Sequence, residues 1–203
     1  WFHWTGITPA ISEGAAQCCL DAIKTANKLG ITVSGDINSR NNMWKYGKTM
    51  QEVIPELVKH SDVVITSSRG IREMFHIGEI DDSFKFLAKK LIKEFPQIKK
   101  VVKKTRRTLS ASHHQIQGKI YNGKEYIKSE MLNITHIIDR VGTGDAFAAG
   151  LIYGLLHYND EQAIEFASAA CALKHTIPGD VNMVSLENVE SLMQGNTSGA
   201  IKR

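Results

Sequence analysis

Asp139-Arg140-Val141-Gly142-Thr143-Gly144-Asp145 is the stretch of this chain whose residue types come closest to chemistry. Two glycines one residue apart let the backbone turn tightly and bring successive N–H groups up to a ligand. The apolar run after them, Ala146-Phe147-Ala148-Ala149-Gly150-Leu151-Ile152, predicts a helix that opens here. At a helix start the N–H groups have no acceptor inside the helix, and the dipole favours negative charge. Such a spot suits a phosphate, or the charge that develops while one is transferred. Asp145, in the first turn, is placed to take a proton from an attacking hydroxyl. The same string also reads as an ordinary helix start with Asp145 as a favourable first-turn charge.

Other reactive residue types are scattered. Lys99, Lys100, Lys103, Lys104, Arg106 and Arg107 fall within nine residues. They read as a strand whose charges flank Val101 and Val102 and whose end opens onto a phosphate site. A nucleic-acid patch is the competing reading, but no aromatic platform accompanies the run, and nucleic acid is not an expected partner. His113 and His114 are neighbours on a strand, so they point to opposite faces and cannot share a metal. His3, His76, His136 and His175 have no zinc-ligand spacing.

The elements that must hold these residues alternate between short apolar runs and helical periods, the pattern of βα units around a mostly parallel sheet. Trp1 to Trp4 reads as a strand met partway, which marks the chain as a fragment. Residues 13–29 place Ala16, Leu20, Ile23 and Leu29 on one helical face, with Ser12 as N-cap and Gly30 past the end. Strands are expected at Ile31–Ser34, Val63–Ile65 and Lys99–Lys104, and helices near 47–59 and over Asp82–Glu94, the latter stopped by Pro96. Between 109 and 138 short β pieces are expected, with a hairpin turn at Tyr121-Asn122-Gly123-Lys124. Two helices follow, 143–156 and 160–174. The first is apolar nearly all round, through Leu155 and Leu156, and should be interior.

Of 203 residues, 42% are hydrophobic and 23% charged, the mix of a folded globular chain. No run approaches the roughly 20 apolar residues of a membrane span. Cys18, Cys19 and Cys171 lack a C-x-x-C spacing. Cys18 and Cys19 read as small buried helix residues, which fits a reducing, cytoplasmic location. The net charge of +4 suits anionic substrates. Gln194 to Arg203 is expected to be frayed.

The string from Asp139 through Ala149-Gly150 resembles the second signature of PfkB (ribokinase-like) carbohydrate kinases. Three further segments resemble the 2-dehydro-3-deoxygluconate kinase branch: Trp1 to Pro9, the loop Asp36-Ile37-Asn38-Ser39-Arg40 with Trp44, and Lys174-His175-Thr176-Ile177-Pro178-Gly179-Asp180. The likeness runs the whole length in the same order. It implies an α/β, ribokinase-like fold with a mostly parallel central sheet flanked by helices. It also implies that residues 1–203 are the C-terminal portion of one kinase domain, whose N-terminal lid region would precede Trp1.

The resemblance further implies ATP and Mg2+ as cofactors, a small sugar acid as substrate, no membrane partner, and a possible homo-oligomer through that lid. Carried over by position, Asp145 is the general base and Gly142, Thr143 and Gly144 form the anion hole. Arg40, Asp145 and Asp180 meet the substrate. Asn38, Ser39, Arg40, Thr105, Arg107, Gly142 and Gly144 meet the nucleotide. Another sugar or a nucleoside as substrate, or a non-catalytic remnant, stay open as alternatives. Two places depart from the family. Thr66-Ser67-Ser68-Arg69-Gly70 stands where an Asn-x-x-Glu or Asn-x-x-Asp is usual, with Glu73 one turn on. Thr105-Arg106-Arg107-Thr108 stands for Thr-Leu-Arg-Glu.

Overall fold

β-Branched runs separated by helical periods become the strands of a largely parallel sheet. The computed structural model describes residues 1–196. They fall into two units: unit 1 is Trp1–Lys103 with Ile120–Tyr126, and unit 2 is Lys104–Lys119 with the residues from Ile127 onward.

Unit 1 begins β1 (Phe2–Thr5), α1 (Thr8–Ile11), α2 (Glu13–Lys28) and β2 (Val33–Asp36), then a 3-10 turn at Asn41–Met43. It continues α3 (Met50–Val58), β3 (Val63–Ile65), α4 (Ser68–Phe75) and α5 (Phe84–Glu94), and holds the start of β4 (Lys100–Ser110). The strands β1, β2, β3 and β4 pair in that order and in parallel, with Trp4 opposite Gly35, Gly35 opposite Val64 and Val64 opposite Val101. Ile23, Ile54, Leu57, Leu87 and Leu91 are buried in the same core as Val64 and Val101. Helix starts follow local chemistry. Ser12 Oγ accepts the Ala15 N–H at 3.1 Å, and Thr49 forms a capping box with Glu52.

Unit 2 takes the far part of β4, the start of β5 (His113–Tyr121), the end of β6 (Tyr126–Lys128), β7 (Leu132–Ile134), α6 (Thr143–His157), α7 (Asp160–Lys174) and α8 (Leu186–Met193). β5 and β7 are antiparallel, with His114 opposite Ile134. α6 and α7 pack at close range through small residues: a Cβ on Gly154 would stand 2.7 Å from Ala163 Cα, and one on Gly150 3.1 Å from Ala167 Cα. The α/β class and mostly parallel sheet are those expected from the sequence.

Details differ. β2 starts two residues late, because Ile31 still hydrogen-bonds back to Ala26 at 2.9 Å as the helix closes. β4 runs on to Ser110. Leu29 and Leu156 are exposed, since each sits at a helix end where the apolar stripe has run past the core. Cys18 is exposed while Cys19 is buried, as one residue turns the helix by about 100°. Helices α4 and α8 have no counterpart in the sequence reading. Of the tail called frayed, residues 197–203 lie outside the described residues. None of the described helices is long and apolar enough to cross a membrane.

Candidate active site

Gly142 is the N-cap of α6 and holds φ at +75°, a conformation that glycine adopts without a Cβ penalty. Ahead of it, the Asp139 carboxylate accepts the Val141 N–H at 3.0 Å through Oδ1 and the Gly179 N–H at 2.8 Å through Oδ2. Those two bonds, Val141's first, hold the Asp139 carboxyl below the usual carboxylate value, so this acid serves as a stitch between two turns. Thr143 donates to the Arg140 carbonyl through its hydroxyl at 3.0 Å and, at 3.4 Å, through its N–H. The ring of the first helical turn closes with Ala146 N–H to Gly142 O at 2.8 Å. Gly144 and Asp145 precede that closure, so their N–H groups have no intrahelical acceptor. Of the three amides expected to form an anion hole, that of Thr143 is therefore already engaged, although weakly.

Lys104 reaches the same turn: its Nζ donates to Thr143 O at 3.2 Å and lies 6.0 Å from the centroid of the Phe147 ring. In the sequence Lys104 stands out only as part of a basic run; strand alternation, which separates it from Lys103, is the signal that could single it out.

Asp145 is exposed, and its carboxylate has no hydrogen bond or ion pair among the described residues. It borders a cavity of about 400 Å³ together with Gly142 and Asp180, with apolar walls that include Ala146, Tyr153 and Phe166. Three of the residues singled out in unit 2 thus meet at one cavity. Thr143 and Gly144 do not line it. A second cavity, about 590 Å³, is bordered by Arg106, Asp139 and Arg140. Arg107, expected at the nucleotide, does not line it. Arg106 does, because neighbouring strand residues face opposite ways. Thr105 Oγ1 is buried without a hydrogen-bond partner among the described residues.

Behind the motif His114 and His175 are fully buried, with ring centroids 5.9 Å apart and nearly perpendicular. His175 Nδ1 faces Cys171 O at 2.8 Å and so carries its proton there, while both ring nitrogens of His114 are unpartnered among the described residues. Burial pushes both imidazoles below their ordinary value.

In unit 1 the loop after β2 carries Asn38, Ser39 and Arg40. It is anchored by Ile37 N–H to Ile65 O at 2.9 Å, and Gly6 allows close approach, since a Cβ there would stand 3.1 Å from Asn38 N. Ser39 and Arg40 are exposed, and Arg40 Nε donates to Asn38 Oδ1 at 3.3 Å. The altered 66–70 stretch is a helix start: Ser67 Oγ caps α4 by accepting the Gly70 N–H at 2.9 Å. Glu73 is taken up by Arg69 at 2.6 Å.

The family model of the pfkB family carbohydrate kinases matches residues 2–186. The chain belongs to that family. Among curated relatives, a 2-dehydro-3-deoxygalactonokinase of Haloferax volcanii is 29% identical over 199 residues, covering 98% of this chain and 58% of that protein. A 2-dehydro-3-deoxygluconokinase of Bacillus subtilis is 26% identical over 195 residues, covering 89% and 52%. The crystal structure of the Thermotoga maritima 2-dehydro-3-deoxygluconokinase superposes with a TM-score of 0.87 at 34% identity, over 96% of this chain and 60% of that one. A pfkB-family kinase from Listeria grayi gives 0.87 at 28%, over 95% and 59%. The chain thus spans between half and three fifths of the length of these proteins.

Proposed function

We propose that this chain carries the catalytic base and phosphate cradle of a sugar kinase, as the C-terminal portion of one kinase domain. The complete enzyme would use ATP to phosphorylate the terminal hydroxyl of 2-dehydro-3-deoxy-D-gluconate. The observation that carries the reading is the exposed Asp145 carboxylate, unpaired among the described residues, on the first turn of α6 at the edge of a cavity and beside the Gly144 N–H, which has no acceptor inside the helix. The names of the relatives support the substrate class.

In this reading Asp145 takes the proton of the sugar hydroxyl as its oxygen bonds to the γ-phosphorus. The bond from that phosphorus to the β–γ bridging oxygen breaks, and ADP leaves with the electron pair. The N–H groups of Gly142 and Gly144 face the charge on the transferring group, with Lys104 at the same turn. Arg40 offers a planar fork to the sugar carboxylate or a phosphate, and Asp180 a second acid toward the sugar. Thr105 and the arginines after it serve the nucleotide. Among the described residues no three His, Cys, Asp or Glu side chains form a metal cage. In this reading magnesium would be carried mainly by phosphate oxygens and water. A cytoplasmic location, where ATP is at hand, belongs to the same reading.

A second reading is a remnant that binds nucleotide without turnover. It is favoured by the 66–70 stretch, where capping by Ser67 and pairing of Glu73 with Arg69 leave no free carboxylate.

The test is phosphorylation of 2-dehydro-3-deoxygluconate, followed as ADP release. It is run on the chain alone and joined to whatever the reading frame encodes ahead of Trp1, each with and without Asp145→Asn. The kinase reading expects turnover that falls by roughly 10²–10⁴-fold in Asp145→Asn. Nucleotide binding with no turnover in any form would leave the remnant.

A further inference from the structure

Lys174, the last residue of α7, is among the largest side chains that solvent does not reach at all. Lysine is almost never fully buried unless paired, because removing its charge from water is costly. Here the ammonium donates to Ile177 O at 3.0 Å and to Gly179 O at 2.6 Å. The N–H of that same Gly179 goes to Asp139 Oδ2 at 2.8 Å, and the other oxygen of Asp139 holds Val141 N–H. Two opposite charges therefore grip one residue, the ammonium at the Gly179 carbonyl and the carboxylate at the Gly179 N–H.

What they grip has little else to fix it. Pro178, Gly179 and Asp180 are exposed, so no apolar core orders them. Yet this loop delivers Asp180 to the wall of the cavity at Asp145, and the Asp180 carbonyl occupies the space a Cβ on Gly142 would need. A second tie joins the same partners: His175 O accepts the N–H groups of Ile138 at 2.8 Å and Asp139 at 3.2 Å. Simple capping of a helix end by a basic residue would not require burial; an exposed lysine does that as well.

We propose that Lys174 is a positioning residue: its buried ammonium, balanced by Asp139, clamps the 177–180 loop onto the 139–142 turn and so fixes the phosphate cradle before any ligand arrives. The assignment of a cradle rests on the kinase reading above; the clamp itself does not. Two measurements on the full chain separate them. Hydrogen exchange of the Val141 and Gly179 amides reads the clamp, and titration with ADP reads the cradle. Lys174→Met keeps the length of the side chain and removes the charge. Its expected signature is exchange at Val141 and Gly179 about tenfold faster, and ADP affinity about tenfold weaker, with the denaturant midpoint little changed. Asp139→Asn, which keeps the shape, is expected to move both readouts in the same direction. In Lys174→Ala, where the side chain leaves room for a small cation, ammonium chloride is expected to restore protection and affinity. Sodium chloride at equal ionic strength is not.

Unchanged exchange in Lys174→Met would overturn the clamp, as would a rise spread evenly through α6 and α7, which would mean general loosening. Lost protection with unchanged ADP affinity would overturn the positioning role. If the unmodified chain does not bind ADP, the nucleotide reading falls, and the exchange and ammonium results alone decide the clamp.

Discussion

Gly142 and Asp180 meet backbone to backbone: the Asp180 carbonyl oxygen lies where Gly142 would carry its Cβ. The N-terminus of α6 and the loop after α7 are thereby held so close that no Cβ fits between them. The same contact sets Asp145 and Asp180 on the border of one cavity. A glycine at 142 is required twice, by the contact and by its φ of +75°.

The two requirements can be separated. Gly179 has φ +79° but nothing within 4 Å of its absent Cβ. Gly179→Ala is expected to cost about 1 kcal/mol, the left-handed penalty alone. Gly142→Ala adds an overlap with main chain and is expected to cost about 3 kcal/mol. Denaturant unfolding of both variants checks this, and equal losses would mean that the Asp180 loop simply moves aside.

Much of this was legible beforehand because it is local. Glycines 142 and 144, the first-turn acid and the apolar run after them announce α6 without reference to the rest of the chain. The caps at Ser12 and Gly30 did the same for α2. What escaped needed tertiary information. Ser67-Ser68-Arg69-Gly70 stands out in the sequence only as a departure from the family pattern, yet Ser67 caps a short helix whose Ile71 and Met74 are in the core. Lys174 looks like a surface charge closing a helix, and only the fold turns it inward. Arg106 and Arg107 differ by one position on a strand, and register decides which of them borders a cavity.

Helix α6 should respond to alanine against its propensity. Alanine is a better helix former than glycine by about 1 kcal/mol, and at Gly14 in α2 the nearest atom to a new Cβ is 4.0 Å away. Gly14→Ala is therefore expected to stabilise by a few tenths of a kcal/mol or more. At Gly154 the new Cβ would sit 2.7 Å from Ala163 Cα, a backbone atom of α7. Gly154→Ala is expected to destabilise by about 1–3 kcal/mol as the helices are forced apart. Thermal melts of the pair test the sign; two stabilised variants would refute the close packing.

Asp62, 4% exposed, ties the entry of three strands: it accepts Val33 N–H at 2.9 Å, Gln97 Nε2 at 2.9 Å and Lys99 Nζ at 2.8 Å. Asp62→Ala leaves the buried Val33 N–H without an acceptor and is expected to cost about 3 kcal/mol. Lys99→Ala removes an ion pair whose lysine side chain is 71% exposed, and is expected to cost no more than about 1 kcal/mol. Similar losses in chemical denaturation would place the value of Asp62 in its ion pair instead of its main-chain bond.

The two buried histidines predict how stability depends on pH. Burial, helped by the charges of Arg106 and Arg140, holds His114 below its ordinary 6.5, and burial does the same for His175. The fold therefore keeps both rings neutral, while the unfolded chain protonates them as pH drops through about 6.5. The unfolded state then binds more protons at these two sites, so their contribution to stability must fall with falling pH below that point and stay level above it. Each ring can contribute at most about 1.4 kcal/mol per pH unit over the interval between its unfolded and folded values. His114→Phe deletes one of them and removes two ring nitrogens that lack partners, so at pH 8 it is expected to be close to neutral in stability. Between pH 6.5 and pH 5 its unfolding midpoint should decline less steeply than that of the unmodified chain. Parallel curves for the two proteins over that range would mean that His114 titrates in the fold much as it does in the unfolded chain.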